Sequence, residues 1–181
     1  MKKIALFGSA NPTDDSHYQQ QVTALGKLLA PLSCDIYLGA TSGLVGDFIA
    51  GVKHYENKQC QLNLVVYGDR RYLDTADVDV VSVKPCYFTR LSVLTDCDVY
   101  IVLDGQLGTM AETLVSWNQL QARMAFERKI IVLGHKERKK LAFLLDEFIF
   151  SKQAYRDFLY FADDATGAYQ QVTQVLGVNG K

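Results

Sequence analysis

Val99–Trp117, VYIVLDGQLGTMAETLVSW, is the stretch whose reading decides the fold. Val99 to Val102 are strand formers, and Leu103 leads into the turn Asp104-Gly105-Gln106-Leu107-Gly108-Thr109. Met110, Leu114 and Trp117 then recur at intervals of four and three, the spacing of one helix face. A strand that passes through a glycine turn into a helix builds an anion seat. The first N–H groups of the helix have no intrahelical acceptor and stand at the positive end of its dipole, so a phosphate there gains several hydrogen bonds. Gly108 permits close backbone approach and Thr109 adds a hydroxyl. Glu112 stands one turn inside the helix, with its carboxylate near the mouth of the seat. Glycine turns of this kind also serve packing alone, so the stretch by itself leaves a structural turn open.

The pattern of strand, breaker and helix repeats on both sides. Lys3 to Phe7 reads as a buried strand, followed by Gly8-Ser9-Ala10-Asn11-Pro12 and a helix over Ser16 to Leu29. Cys34 to Leu38 is a second strand, and after Gly39-Ala40-Thr41-Ser42-Gly43-Leu44-Val45-Gly46 the residues Phe48, Ile49, Val52 and Tyr55 keep helical spacing. Leu62 to Tyr67 is a third strand, Tyr72 to Asp79 is polar and irregular, and Val80 to Val83 is a short strand. A helix over Cys86 to Thr95 places Phe88, Leu91 and Leu94 on one face and Arg90 on a different side. Beyond the central helix, Lys129 to Leu133 is a strand, Glu137 to Phe150 a helix, Phe158 to Phe161 an edge strand and Ala165 to Leu176 a closing helix, with Gly177 to Lys181 fraying.

This alternation predicts an α/β chain. The expected fold is Rossmann-like and doubly wound, a mostly parallel sheet with helices on both faces, forming one nucleotide-binding domain over residues 1–181. Ligands of such sheets bind outside the carboxyl ends of the strands. The three turns at Gly8-Ser9, Gly39 to Gly46 and Gly105 to Thr109 all follow strands and therefore share that edge. A packing explanation would have to hold three times, which makes Gly39, Thr41 and Gly43 ligand candidates beside the first seat.

Composition narrows the classes. With 181 residues, 49% hydrophobic and 22% charged, the chain is an ordinary globular sequence, and a net charge of −1 gives no footprint for nucleic acid or membrane. The basic run Lys136 to Lys140 (KERKK) reads as a solvated helix face. The amino terminus enters a strand at once without a signal peptide, and no apolar run approaches the ~20 residues that cross a bilayer, so a cytoplasmic protein is expected. Cys34, Cys60, Cys86 and Cys97 lack metal-ligand spacing and read as buried free thiols. His17, His54 and His135 stand far apart, so no metal site is expected.

At the central turn the chain resembles the LOG family, formerly labelled lysine decarboxylase-like, whose signature is PGGxGTxxE. The corresponding run Asp104 to Glu112 preserves the first glycine, the Gly108-Thr109 pair and Glu112, while Asp104 replaces the proline and Gln106 the second glycine. Gly8-Ser9 resembles the family's early turn, and Leu38 to Gly46 is similar to its GGGxxGLMG turn. The resemblance spans about Ile4 to Leu133. It implies a phosphoribohydrolase that cleaves the N-glycosidic bond of a nucleoside 5'-monophosphate, releasing base and ribose 5-phosphate without a cofactor. It further implies Glu112 and Arg90 as the catalytic pair, with Gly105, Gly108 and Thr109 on the phosphate and Gly8, Ser9 and Gly43 on the rest of the nucleotide. The roles are chemically coherent: a carboxylate stabilises an oxocarbenium-like ribose while activating water, and an arginine orients that carboxylate and the sugar phosphate. Asp104 is then expected to repel the phosphate by roughly 1 kcal/mol or more.

A second class fits the same residues: a non-catalytic nucleotide or phosphorylated-cofactor carrier, as in molybdenum-cofactor carrier proteins, which share this architecture. A third is an assembly role. The family's habit predicts a homodimer, and Trp117, Leu120, Met124 and Phe126 supply more apolar surface than one core face needs. No lysine stands in or beside the three turns in sequence, which argues against a Schiff-base decarboxylase. Gly8-Ser9-Ala10-Asn11-Pro12 lacks GxGxxG spacing, which argues against a dinucleotide dehydrogenase.

Overall fold

The computed structural model describes residues 1–68, 74–148 and 152–178. The strands are β1 (Lys2–Phe7), β2 (Cys34–Leu38), β3 (Gln61–Tyr67), β4 (Val80–Lys84), β5 (Val99–Val102), β6 (Lys129–Val132) and β7 (Leu159–Phe161). They form a sheet of order β4-β3-β2-β1-β5-β6-β7 in which every pair is parallel. The order reverses at β1. Its neighbours are β2 on one side, with Ile4 opposite Ile36, and β5 on the other, with Leu6 opposite Ile101. The chain is therefore an α/β Rossmann-like fold whose switch point lies between β1 and β5.

The helices are α1 (Ser16–Leu29), α2 (Gly43–Lys53), α3 (Tyr87–Leu94), α4 (Leu107–Arg123), α5 (His135–Glu147), α6 (Lys152–Arg156) and α7 (Ala165–Leu176). Successive strand residues face opposite sides of the sheet, and two cores follow. One gathers Ile4, Leu6, Ile36, Leu38 and Ile101 with α1, α2 and α7; the other gathers Ala5, Phe7, Tyr100 and Val102 with Leu94 of α3, Trp117 of α4 and Leu141 of α5. All four residues of β5 are buried, as burial on both faces demands.

Several expectations shift. Helix α4 begins at Leu107, so Gly108 and Thr109 are helical residues in its first turn rather than turn residues. Leu114 is 37% exposed, and the buried side of α4 is instead Thr109, Glu112, Thr113, Ser116, Trp117 and Leu120. Trp117 and Leu120 thus belong to the chain's own core, leaving Met124 and Phe126 exposed. In α3, Phe88 is 77% exposed and Arg90 is buried beside Leu91 and Leu94, because Arg90 fills its hydrogen bonds inside while Phe88 has no core partner. Helix α5 starts two residues early, at His135, and exposes Phe148. Cys86 is exposed at the start of α3, while Cys34, Cys60 and Cys97 are buried thiols. The short helix α6 had no expected counterpart. Residues 72–73 of the irregular stretch, 149–150 of the expected helix and 179–181 of the tail lie outside the described residues. No helix among the described residues is long and apolar enough to cross a membrane.

Candidate functional site

The loops that leave β1, β2 and β5 meet at the carboxyl edge of the sheet and are bonded to one another. Ser9 N–H donates to the Asp104 carbonyl at 3.0 Å, and the Ser42 hydroxyl donates to the Ala10 carbonyl at 2.8 Å. Gly43 opens α2 with φ of +59°, and a Cβ there would lie 2.3 Å from the Asn11 carbonyl oxygen, so only glycine lets the first two loops touch. Between the three loops lies a cleft of about 210 Å³, lined among others by Gly8, Ser9, Gly39, Gly108, Thr109, Arg90 and Glu112. It continues on one side into a lobe of about 580 Å³ walled by Thr41, Val66, Tyr67, Asp74 and Tyr87. On the other side, a lobe of about 370 Å³ is bounded by Asp14, Asp15, Asp104, Gly105 and Lys136. Seven of the ten residues expected at the site thus gather round the central cleft, Thr41 and Gly105 fall in the flanking lobes, and Gly43 serves loop packing.

Helices α2 and α4 open at this edge without a side-chain cap from the preceding residue. Neither Ser42 before α2 nor Gln106 before α4 caps its helix, whereas Asp15 caps α1 and Asp164 caps α7. Among the described residues the first N–H groups of α4 are therefore unspent, and a Cβ placed on Gly108 meets nothing within 4 Å. A Cβ on Gly105 would lie 2.1 Å from Thr109 Oγ1, so the turn is pressed against the first turn of its own helix.

The charged pair forms the cleft wall. Arg90 Nη1 donates to Glu112 Oε1 at 2.8 Å, Arg90 Nε to the Val65 carbonyl at 3.0 Å, and Arg90 Nη2 to the Gly39 carbonyl at 3.3 Å. Three of the five N–H donors of the guanidinium thereby tie α3 to β3, the β2–α2 loop and α4. A Cβ on Gly39 would lie 2.0 Å from Arg90 Nη2, which accounts for the glycine. Burial pushes the Glu112 carboxyl above its ordinary value, and Arg90 pulls part of that rise back. The result is a positioned carboxylate of raised pKa next to the uncapped start of α4.

Asp104 stands elsewhere than expected. Its Oδ1 accepts from the Lys136 N–H at 2.7 Å and the Glu137 N–H at 3.2 Å, capping α5, while its own N–H donates to the Tyr18 hydroxyl at 2.9 Å. Its charge is thereby committed to the positive end of the α5 dipole. The KERKK run is likewise more than a solvated face, since Glu137 is fully buried and Lys140 reaches the Gly105 carbonyl. Lysines do approach the central turn in space, then, although none adjoins it in sequence.

The clefts at the switch point and the seven parallel strands can be set against known proteins. The chain shares its fold with molybdenum-cofactor-binding proteins. It is similar to the molybdenum cofactor binding protein of Rippkaea orientalis, with a TM-score of 0.73, 15% identity and 97% of each chain covered. It is also similar to the molybdenum cofactor carrier protein of Chlamydomonas reinhardtii, at TM-score 0.69 and 20% identity over 97% of this chain and 98% of that one. A structural-genomics target, TM1055, matches at TM-score 0.72 and 20% identity over 96% and 99%. No protein-family model matches the chain, and neither does any curated protein.

Tyr67, Tyr87, Asn11, Glu137 and Lys140 escaped the sequence reading. The aromatic pair carried a usable signal, because Tyr67 ends a strand and Tyr87 opens the following helix, so both belong at the carboxyl edge.

Proposed function

We propose that the chain is a LOG-type phosphoribohydrolase that binds a nucleoside 5'-monophosphate across the switch point and hydrolyses its N-glycosidic bond. The observation that carries this reading is the buried Arg90–Glu112 pair in the wall of a cleft that also holds an uncapped helix start. Phosphate at the α4 N-terminus, near Gly108 and Thr109, leaves ribose beside Glu112 and the base in the lobe walled by Tyr67 and Tyr87. As the C1'–N bond lengthens, the Glu112 carboxylate stabilises the developing positive charge on the ribose and accepts a proton from water, whose oxygen bonds to C1'. The electron pair of the broken bond leaves with the base, which takes up the proton that Glu112 accepted from the water, so that the carboxylate is regenerated and ribose 5-phosphate remains. Arg90 keeps the carboxylate in one rotamer, its own fork fixed by two backbone carbonyls.

The second reading, a carrier of a phosphorylated cofactor, is favoured by the shared fold and by the lobe bounded by Asp14, Asp15 and Lys136, which extends the cleft beyond a mononucleotide's needs. The protein is cytoplasmic and homodimeric in either case, with Met124 and Phe126 among the exposed apolar residues available to the contact. The test incubates purified protein with a panel of nucleoside 5'-monophosphates, following free base and ribose 5-phosphate by chromatography and binding by thermal shift. Base release that requires Glu112 supports the hydrolase. A stabilising shift with no base release supports the carrier.

A further inference from the structure

The turn that carries the anion seat is held from behind by α5, and the contacts run in both directions. Asp104 Oδ1 takes two N–H groups from the start of α5; in return, Glu137 Oε1 accepts the Gly105 N–H at 3.2 Å. Lys140 Nζ donates to the Gly105 carbonyl at 3.0 Å and to Glu137 Oε1 at 2.5 Å. Both polar groups of residue Gly105 are thus gripped by one ion pair. Glu137 is 0% exposed, and among the described residues its Oε2 has no hydrogen-bond partner.

An apolar residue would fill that space without stranding an oxygen, since a half-satisfied buried carboxylate is a net cost to the fold. What it supplies is geometry. Gly105 lies against Thr109, close enough that a Cβ would stand 2.1 Å from Thr109 Oγ1, and Thr109 belongs to the first turn of α4. Holding Gly105 therefore holds the N–H groups that form the seat. Neither Glu137 nor Lys140 lines the central cleft.

We propose that Glu137 and Lys140 are positioning residues for phosphate, gripping Gly105 so that the start of α4 is set to receive an anion. The proposal rests on the phosphate-binding part of the reading above. Their influence falls on the phosphate end of a ligand and not on its base.

The test compares wild-type protein with Glu137→Gln/Lys140→Met, which removes both charges at similar volume and strands neither. Each is titrated calorimetrically with inorganic phosphate, AMP and adenosine. Affinity for phosphate and for AMP should fall about tenfold, a loss of roughly 1.4 kcal/mol, while adenosine affinity stays within about twofold, and the charge-conserving single variant Lys140→Arg should keep AMP affinity near that of wild type. Unchanged AMP and phosphate affinity overturns the proposal, as does an equal loss for adenosine, which would mean general loosening of the cleft. If wild-type protein binds phosphate but neither AMP nor adenosine, the nucleotide reading fails; the loss of phosphate binding in the variant then still supports the clamp. Wild-type protein that binds neither phosphate nor AMP refutes it. Should the double variant not fold, Glu137→Gln alone, isosteric and with Lys140 in place, carries the test at about a threefold loss.

Discussion

Replacing Glu112 with glutamine separates chemistry from architecture. The Arg90 and Glu112 side chains are 10% and 9% exposed and meet at 2.8 Å. With charge centres about 4 Å apart and an effective dielectric near 20, their attraction is about 4 kcal/mol, most of it offset by the desolvation of both ions. Alanine at 112 would strand the buried guanidinium and cost about 3–5 kcal/mol of stability. Glutamine keeps an oxygen where Arg90 Nη1 donates, and the Val65 and Gly39 carbonyls still hold the other two donors. Its expected cost is therefore about 1–2 kcal/mol, the difference between a charged and a neutral acceptor. Against that modest change, removing the general base should lower kcat by about 10²–10⁴, equivalent to about 3–5 kcal/mol of barrier. The assay is base release from AMP at saturation, with AMP affinity and the urea midpoint measured on the same preparation. Retained folding and binding with hydrolysis at the wild-type rate would refute the assignment of Glu112. Loss of binding in parallel with activity would show that Glu112 builds the cleft instead of acting in it.

Three further outcomes follow from the same geometry. Because burial raises the Glu112 carboxyl, the folded protein holds a proton in a window where the unfolded chain has released it. The stability contribution of Glu112 is thus present below the ordinary carboxylate value and is lost as pH climbs through the raised one. The ionised base grows in over that same window, so the acid limb of kcat/KM should lie above the ordinary carboxylate range and vanish in Glu112→Gln; a limb at an ordinary carboxylate pH contradicts this. Gly108→Ala adds a methyl where nothing stands within 4 Å, so the urea midpoint should hold or rise slightly while AMP affinity falls about tenfold, a value that calorimetry reads directly. Solution scattering at micromolar concentration should return twice the chain mass of 20.3 kDa, and a single-chain mass would exclude the homodimer.

The fold was legible because its signals are redundant. Apolar strands such as Ile4 to Phe7 and Val99 to Val102 are buried on both faces, so their composition alone names a parallel sheet, and the breaker after each names the edge where loops collect. Arg90 was harder. Its neighbours Phe88, Leu91 and Leu94 form a plausible apolar face, and only the Glu112 carboxylate with the carbonyls of Val65 and Gly39, all distant in sequence, makes burial of the guanidinium favourable over burial of Phe88. Periodicity weighs hydrophobicity, whereas the buried face of α3 is decided by hydrogen-bond partners that periodicity does not carry. The same holds for α4, where Thr109, Glu112, Thr113 and Ser116 are buried and Leu114 is not. Thr113 and Ser116 turn their hydroxyls onto carbonyls one turn back, which lets a polar face pack against the sheet edge.

Asp104 stands where the signature that the central turn resembles has a proline. A proline at this position would have no N–H to donate and no side chain to cap a helix, yet here both functions are in use: the N–H is held by Tyr18 and the carboxylate by the first turn of α5. Burial drives the Tyr18 hydroxyl well above its ordinary value, so it stays neutral and can both accept from Asp104 N–H and tolerate the nearby Glu137. Rigidity that a proline ring would supply locally is therefore supplied by α1 and α5 through Tyr18, Glu137 and Lys140. The restraint on the turn thus lies in the surrounding helices and not in the backbone, and the uncapped start of α4 faces the cleft.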